Sequence, residues 1–257
     1  LRFLFSKNKM IKQNTTQNAI ILIYIEKLIR LIPHIYLIFR TLVRHTNYFE
    51  NDFFYLKKIF RDRKINIIDV GASDGISAQF FIKNLNPKYI FCYEPQKIFF
   101  KKLVNLKKKH KMLKIFNYGL GEKNTITNIF FPYIKFFQKK YFLLTYSFPI
   151  KKELEKQINL DFFIKPKITK SHIIVKKFKI TKDKIDLIKI DTNGSEIDIV
   201  KSLKLLIKRD KPVLIIENNN IGKIYRILKI YKYKKYCIVN KKFVIHKNQN
   251  NANIIFK

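Results

Sequence analysis

The stretch Asn66-Ile67-Ile68-Asp69-Val70-Gly71-Ala72-Ser73-Asp74-Gly75-Ile76-Ser77 decides how the rest of the chain is interpreted. An apolar run ends in an acid, two glycines follow, and Gln79-Phe80-Phe81-Ile82 continues at helical spacing, which predicts a strand, a tight turn and a helix. Gly71 would let the backbone turn sharply, and Gly75 would let the helix begin close to the strand, where free N–H groups face a ligand. This arrangement is typical of a nucleotide-binding corner.

The glycine spacing and the next acid narrow the type of nucleotide. The turn reads G-x-x-x-G, and its departure from the dinucleotide fingerprint G-x-G-x-x-G weakens a pyrophosphate-binding interpretation. A second apolar run, residues 89–93, is followed by Glu94, which lies 23 residues after Gly71. An acid at the end of a second strand is where a ribose diol is bound. Adenosine without a pyrophosphate suggests S-adenosyl-L-methionine as the cofactor.

Length and composition predict one main domain. The chain has 257 residues, of which 47% are hydrophobic and 15% aromatic, so it can bury one sizeable core. We expect an N-terminal helical extension over residues 1–60 and a main domain over residues 61–257. Met10 is the first methionine, and residues 1–9 are therefore left out of the fold prediction.

The net charge of +36 would ordinarily indicate a nucleic-acid partner. However, the lysines occur in nearly every segment, and they are over-used together with Ile, Asn, Phe and Tyr, as expected from A/T-rich codons. A functional patch should be clustered, so a solvated basic surface is the favoured interpretation. We expect no specific nucleic-acid partner.

Residues 18–45 are apolar but are interrupted by charges too often to span a bilayer. Pro33 should divide them into two helices. Two interpretations stay open, a helical extension packed on the main domain, which we favour, and an interfacial helix pair that makes peripheral membrane contact.

Cys92 and Cys237 are far apart without metal-ligand spacing. This indicates reduced thiols and a cytoplasmic location, with peripheral contact at the inner face of the membrane as the alternative. The scattered histidines predict no metal site.

From residue 64 onward, strands and helices alternate. Candidate strands are residues 65–70, 89–93, 113–118, 173–179, 185–190, 212–217, 235–239 and 242–246. Candidate helices are residues 76–84, 96–110, 196–208 and 221–230. The alternation predicts an α/β fold, a mostly parallel, doubly wound Rossmann-like sheet with right-handed crossovers, and the last two strands are close enough to form an antiparallel C-terminal hairpin. The aromatic segment 130–170 is either a substrate-facing lid or a surface insertion.

The acids carry more information than the lysines because only 18 acids offset 54 bases. Six fall at or just beyond the carboxyl ends of predicted strands, the edge where open parallel sheets bind ligands. They are Asp69, Asp74, Glu94, Asp191, Glu196 and Glu217. A ligand site is favoured over helix capping for Asp69, Glu94 and Asp191, and the two interpretations are equally supported for the other three.

Four blocks in order make the region from about residue 65 to residue 218 resemble the FkbM-type methyltransferases, which have the class I methyltransferase fold. The blocks are Ile68-Asp69-Val70-Gly71-Ala72-Ser73-Asp74-Gly75, Tyr93-Glu94-Pro95, Tyr118-Gly119-Leu120-Gly121-Glu122, and Asp186-Leu187-Ile188-Lys189-Ile190-Asp191-Thr192-Asn193-Gly194-Ser195-Glu196. The last is similar to the family's Lys-Ile-Asp-x-x-Gly-x-Glu. Asn193 stands where the family commonly has an acid, which puts assistance by a metal in doubt.

The resemblance implies a set of cofactor-binding residues. Asp69, Gly71, Ala72, Asp74 and Gly75 would shape the pocket for the methionine end of S-adenosyl-L-methionine. Glu94 would bind the ribose hydroxyls. The turn that contains Gly119 and Leu120 would lie near the adenine.

The resemblance also implies O-methylation of a hydroxyl on a glycan or a small metabolite. The catalytic candidates are Asp191, Lys189 and Glu196. Asp191 is the residue expected nearest the chemistry, because it ends a predicted central strand and the strand period places it on the same face as Lys189. It could orient an acceptor hydroxyl, take its proton, or hold a divalent ion with Glu196, or it could only fix the turn. The alternatives are an RNA methyltransferase, for which the chain lacks an Asn/Asp-Pro-Pro-Tyr or a Pro-Cys block, and a non-catalytic, membrane-associated accessory protein.

Overall fold

A computed structural model describes residues 51–136, 139–143, 146–239, 242–247 and 253–257. The helices predicted within residues 18–45 lie outside these ranges. The helices are α1 Asn51–Phe60, α2 Ile76–Asn84, α3 Lys97–Lys109, α4 Lys151–Asp161, α5 Glu196–Ser202, α6 Lys204–Asp210 and α7 Ile221–Lys229. The strands are β1 Lys64–Val70, β2 Asn86–Tyr93, β3 Leu113–Phe116, β4 Gly119–Gly121, β5 Thr125–Phe136, β6 Lys139–Phe142, β7 Lys167–Lys177, β8 Leu187–Ile190, β9 Val213–Glu217, β10 Lys235–Val239, β11 Lys242–Ile245 and β12 Asn253–Phe256.

Eight of these strands form one sheet in the order β11-β10-β12-β9-β8-β1-β2-β3. Strand β1 pairs in parallel with both β2 and β8, and β8 pairs in parallel with β9. The chain therefore moves outward from β1 to β3 and then returns to the other side of β1. Right-handed crossovers in these two directions place helices on opposite faces of the sheet. The predicted fold, a doubly wound Rossmann-like α/β sheet of the class I methyltransferase type, is confirmed.

The antiparallel edge of the sheet is larger than the sequence predicts. The expected hairpin is present, since β10 and β11 pair in antiparallel fashion. However, the last apolar run of the chain forms β12, which inserts between β9 and β10 and is antiparallel to both. As a result β10 runs parallel to β9, and only β11 and β12 are reversed.

The central strands are buried on both faces, as expected when helices cover a parallel sheet on both sides. All residues of β8 and β9 are buried, and in β1 only Lys64 is exposed. The amphipathic helix α7 places Ile221, Ile224 and Leu228 in the same core. Two predicted elements differ from the structure. The strand predicted over residues 113–118 ends at Phe116, and the separate strand β4 begins at Gly119. The helix predicted over residues 196–208 is divided into α5 and α6, with Leu203 between them.

The chain divides into two compact units, and the larger contains residues 51–127 and 172–257. In it, α1 packs the ring of Phe53 on Phe80 and Phe81 of α2, with centroid distances of 5.8 and 5.9 Å. The domain boundary predicted at residue 60 stays a prediction. Within the described residues, no helix has both the length and the apolar character needed to cross a membrane.

The described residues of the other unit are 128–136, 139–143 and 146–171, a range that corresponds closely to the predicted insertion 130–170. Strands β5 and β6 pair in antiparallel fashion, with Tyr133 opposite Phe142. A small core forms beside them from Leu143, Tyr146, Leu154, Ile158 and Phe162. The segment thus folds around apolar contacts of its own. Its substrate-facing role stays a prediction.

Candidate active site

The candidate site lies where the carboxyl ends of β1, β2 and β8 meet. The strand order reverses at β1, and ligands of open α/β sheets bind outside the strand ends at such a reversal. Asp69 is near the end of β1, Glu94 follows β2 and Asp191 follows β8. The fold therefore brings three acids that the sequence singles out to neighbouring strand ends.

The turn after β1 is hydrogen-bonded to β2 and packs closely against the end of β8. The N–H groups of Gly71 and Ala72 both donate to the carbonyl of Tyr93, at 3.0 and 3.2 Å. Gly71 has a φ of +73°, and a Cβ built on it would lie 2.0 Å from the carbonyl oxygen of Asp191. Position 71 therefore requires glycine because the backbone of Asp191 lies too close for a side chain. Gly75, also at positive φ, precedes α2 and faces Leu103 and Leu106.

Glu94 is held by backbone N–H groups on both of its carboxylate oxygens. The N–H of Ser73 donates to Oε2 and the N–H of Gln96 donates to Oε1, each at 2.8 Å. The side chain is buried, and burial raises the pKa of Glu94 to about 7, although the two N–H donors and Lys189 act in the opposite direction. Each carboxylate oxygen keeps a further lone pair, so the group can still accept a hydroxyl.

Lys189 connects the ends of β1 and β8. Its ammonium donates to the carbonyl of Gly71 at 2.9 Å and lies 3.3 Å from Oδ1 of Asp69. The same nitrogen is 3.4 Å from Oδ2 of Asp191. Lys189 and Asp69 are buried, and the other oxygen of Asp69 accepts a hydrogen bond from the hydroxyl of Ser77. The buried acid therefore has a cation on one oxygen and a hydroxyl donor on the other.

Asp191 differs from Asp69 in its access to solvent. Its side chain is 46% exposed, whereas that of Asp69 is fully buried. The N–H of Asp191 donates to the carbonyl of Val70 at 3.2 Å, which fixes its backbone against β1. Of the acids at these strand ends, Asp191 is thus the one that an acceptor molecule can reach.

Glu196 fixes the turn that leads into α5. Its Oε1 accepts from the N–H and the hydroxyl of Thr192, each at 3.2 Å, and both oxygens accept from the N–H of Gly194 at 3.0 Å. The side chain is 1% exposed. Glu196 therefore holds the backbone of the turn before α5, and its catalytic role stays a prediction.

The remaining predicted site residues surround these three strand ends. Asp74 and Ala72 are buried in the turn after β1, and Leu120 is buried in the main core. Gly119 lies 3.6 Å, measured from a built Cβ, from Pro95, so β4 approaches the turn after Glu94. Ordinary room for a side chain remains at Gly119.

Two supporting residues were missed by sequence reasoning. Ser77 donates to Asp69, and the side-chain amide of Asn117 donates to the carbonyls of Glu94 and Pro95 at 2.9 and 3.2 Å. The contact of Ser77 could have been anticipated from its place in the first turn of the helix after Asp69. Nothing in the sequence predicted the contact of Asn117, because its side chain reaches the backbone of Glu94 only when β2 pairs with β3.

The residues present fit a ligand that carries two neighbouring hydroxyls, such as a ribose. The hydroxyl oxygen of Ser73 is buried and has no hydrogen-bond partner among the described residues, and it belongs to the same turn that donates to Glu94. Glu94 offers carboxylate lone pairs for two neighbouring hydroxyls. Within the described part of the chain, no group of three or more His, Cys, Asp or Glu side chains is arranged to hold a metal ion.

A family model described as the methyltransferase FkbM domain matches residues 69–235. The chain is similar to a crystal structure of methyltransferase FkbM from Methylobacillus flagellatus KT, with 18% identity and a TM-score of 0.48 over 75% of this chain. It spans 43% of the length of that structure.

Two further solved structures are similar at lower identity. Precorrin-6y C5,15-methyltransferase from Geobacter metallireducens GS-15 shares 13% identity with a TM-score of 0.40, over 79% of this chain and 84% of that one. Aeropyrum pernix fibrillarin in complex with natively bound S-adenosyl-L-methionine shares 10% identity with a TM-score of 0.39, over 76% of this chain and 66% of that one. No curated protein matches the chain.

Proposed function

Because the chain belongs to the FkbM methyltransferase family, we propose that it uses S-adenosyl-L-methionine to methylate a hydroxyl group of a glycan or a small metabolite. The observation that carries this proposal is the half-exposed carboxylate of Asp191 beside two buried acids at the strand reversal. A hydroxyl acceptor needs help with its proton, and an accessible carboxylate can supply it.

The cofactor would be held by the three strand ends. Glu94 would accept from the ribose hydroxyls, the turn around Ser73 would face the methionine end, and the turn around Gly119 would lie near the adenine. When bound, the cofactor supplies a methyl group on a positively charged sulfur. The acids at this edge of the sheet would favour a ligand of that charge.

Asp191 would accept a hydrogen bond from the acceptor hydroxyl and so orient its oxygen for in-line attack on the methyl carbon. The carboxylate of Asp191 would take the proton of the acceptor hydroxyl and pass it to solvent. Lys189, 3.4 Å from Asp191, would hold this carboxylate in place.

A cytoplasmic location is part of the proposal, since Cys92 and Cys237 are both buried and lie far apart in the sequence without metal-ligand spacing. Burial, with a smaller effect from Asp69, raises the pKa of the Cys92 thiol and keeps it in the unreactive neutral form. Peripheral membrane contact through residues 18–45 is a further proposal.

The test is an activity screen with methyl-labelled S-adenosyl-L-methionine against cell-envelope glycans and small hydroxylated metabolites, with RNA as a separate arm. Transfer to a hydroxyl acceptor is the expected result. Labelling of RNA alone would replace the proposal by the nucleic-acid alternative. Cofactor binding without transfer to any acceptor would favour a non-catalytic accessory protein.

A variant pair tests the role of Asp191 once an acceptor is found. Asp191→Asn should leave cofactor affinity unchanged and lower turnover by roughly 10²-fold or more, because the amide cannot take the proton. Asp198→Asn, which changes an exposed acid in the first turn of α5, is the matched control and should keep full turnover. If Asp191→Asn turns over like the wild type, the residue only shapes the turn.

A further inference from the structure

The loop between α4 and β7 exposes a cluster of large apolar side chains. Phe163 is 81% exposed, Leu160 is 72% exposed and Ile164 is 52% exposed. Single exposed apolar residues are ordinary on protein surfaces. Among the described residues, however, no other window of five contains three such side chains. We call residues 160–167 the Phe163 loop.

The backbone of this loop is fixed at both ends, so the apolar side chains are held outward. The N–H of Phe162 donates to the carbonyl of Ile158 at 3.0 Å, and its ring lies 5.1 Å from that of Tyr146 in the small core. Phe162 is extended, with φ −125° and ψ 128°, and successive side chains of an extended chain point to opposite sides. Phe163 therefore points away from the buried side chain of Phe162. Ile164 is exposed as well, and the next buried residue is Pro166.

Exposed lysines surround the apolar cluster. Lys152 and Lys156 precede Leu160 at helical spacing on α4, and Lys165 and Lys167 follow Ile164. Residues 150–170 hold six lysines and three acids. One of the acids, Glu155, is paired with Lys151 at 3.3 Å. The surface therefore combines protruding apolar groups with an excess of positive charge.

We propose that the Phe163 loop docks on an anionic lipid bilayer, with Phe163, Ile164 and Leu160 in the interfacial region and the lysines at the headgroups. An apolar tip with a basic rim is the arrangement that interfacial membrane contacts use. Each lysine near an anionic surface strengthens binding by about five-fold, and the apolar groups add a contribution that depends on insertion. The positive rim selects an anionic lipid surface over a second copy of this chain, whose corresponding rim would repel it.

The chain contains no tryptophan, which allows a direct test. Phe163→Trp places a single fluorophore at the tip of the loop, and Ile230→Trp places one at a comparably exposed position, 77%, in the other unit. Both full-length variants are mixed with vesicles of phosphatidylcholine containing about one third phosphatidylserine, and with vesicles of phosphatidylcholine alone. The emission of the Phe163→Trp variant should shift to shorter wavelength and be quenched by brominated acyl chains, only when phosphatidylserine is present. The emission of the Ile230→Trp variant should not change.

Sedimentation with the same vesicles separates insertion from general charge attraction. Phe163→Ser should lower the partition coefficient by roughly tenfold, whereas Ile230→Ser should leave it unchanged. Likewise the pair Lys165→Glu and Lys167→Glu should weaken binding far more than Lys223→Glu and Lys229→Glu on α7. Equal losses in the two sets would overturn the proposal, because binding would then reflect net charge alone. A protein that self-associates through Phe163 in the absence of lipid, and does not shift its emission with vesicles, would also overturn it.

Discussion

Glu94 gives a pH-dependent test of the proposed cofactor site. Burial raises its pKa from the ordinary value of 4.5 to about 7. Only the ionised carboxylate can accept from both ribose hydroxyls, and below pH 7 most of the folded protein carries the protonated form. The affinity for adenosine should therefore increase by about tenfold between pH 6 and pH 8 and then level off, because the competent fraction increases by that factor.

Calorimetric titration with adenosine and with 2′,3′-dideoxyadenosine measures this effect, since neither ligand changes its charge in that range. Adenosine should show the pH dependence and the dideoxy ligand should not. Glu94→Gln should remove the dependence and weaken adenosine binding by roughly 1.5–3 kcal/mol. Its amide nitrogen must also face one of the N–H groups of Ser73 and Gln96, so the side chain cannot keep both bonds.

Glu122→Gln is the matched control, because Glu122 is 45% exposed and its partner is the surface residue Lys201. This variant should keep the pH profile of the wild type. The reasoning would be refuted if adenosine and its dideoxy analogue showed the same pH profile, or if Glu94→Gln kept the profile of the wild type.

The raised pKa of Glu94 also makes the free energy of unfolding depend on pH. Folding raises the pKa of Glu94, so between pH 4.5 and about 7 the folded state binds a proton that the unfolded state has lost. The contribution of this group to the free energy of unfolding is therefore greatest below pH 4.5. It falls as the pH rises, by up to about 3 kcal/mol. Urea denaturation of wild type and Glu94→Gln at several pH values should show this difference in slope.

Substitutions at Gly71, Lys189 and Asp191 test the contacts of the site by chemical denaturation, with Gly222→Ala as a control. Gly71→Ala should cost roughly 2–5 kcal/mol, because its φ is +73° and the new Cβ would meet the Asp191 carbonyl. Gly222→Ala, whose Cβ would meet nothing within 4 Å, should be neutral or stabilising. Lys189→Met should cost about 3–5 kcal/mol, because it leaves Asp69 buried without its cation. Adding Asp69→Asn to this variant should recover part of the lost stability. Strictly additive losses would contradict the pairing. Asp191→Asn, with its exposed side chain, should cost less than about 1 kcal/mol.

The parts of the fold that depend on local pattern were predictable from the sequence. The helix predicted over residues 76–84 is α2, with the same bounds, and the strand predicted over residues 65–70 is β1 with one more residue. Both follow from apolar periodicity and from the glycines that separate them. Strand β12 was not predicted, because a run of four residues after an Asn-rich stretch has little local signal. Its position is fixed by pairing with β9, where Asn253 lies opposite Glu217.

The same limit applies to the candidate site. The acids of the site follow predicted parallel strands, so their position at one edge of the sheet could be deduced from the sequence. The contacts of Lys189 could not, because its distance to Asp69 depends on the pairing of β1 with β8 and that to Gly71 on how the turn folds. In the sequence, Lys189 is a catalytic candidate because the strand period places it on the same face as Asp191. In the structure, the ammonium of Lys189 is buried and links the end of β8 to the end of β1.

The charges of the site bear on the cationic cofactor that we propose. The buried carboxylate of Asp69 has an ammonium, that of Lys189, at 3.3 Å, whereas the hydrogen bonds to Glu94 come from uncharged N–H groups. Burial then favours a proton on Glu94, and its pKa lies near neutral pH. A positively charged ligand beside Glu94 would lower that pKa, so ligand binding and proton release would be coupled. Measured in buffers of different ionisation enthalpy near pH 7, the binding of S-adenosyl-L-methionine should accordingly release a fraction of a proton, and Glu94→Gln should abolish that release.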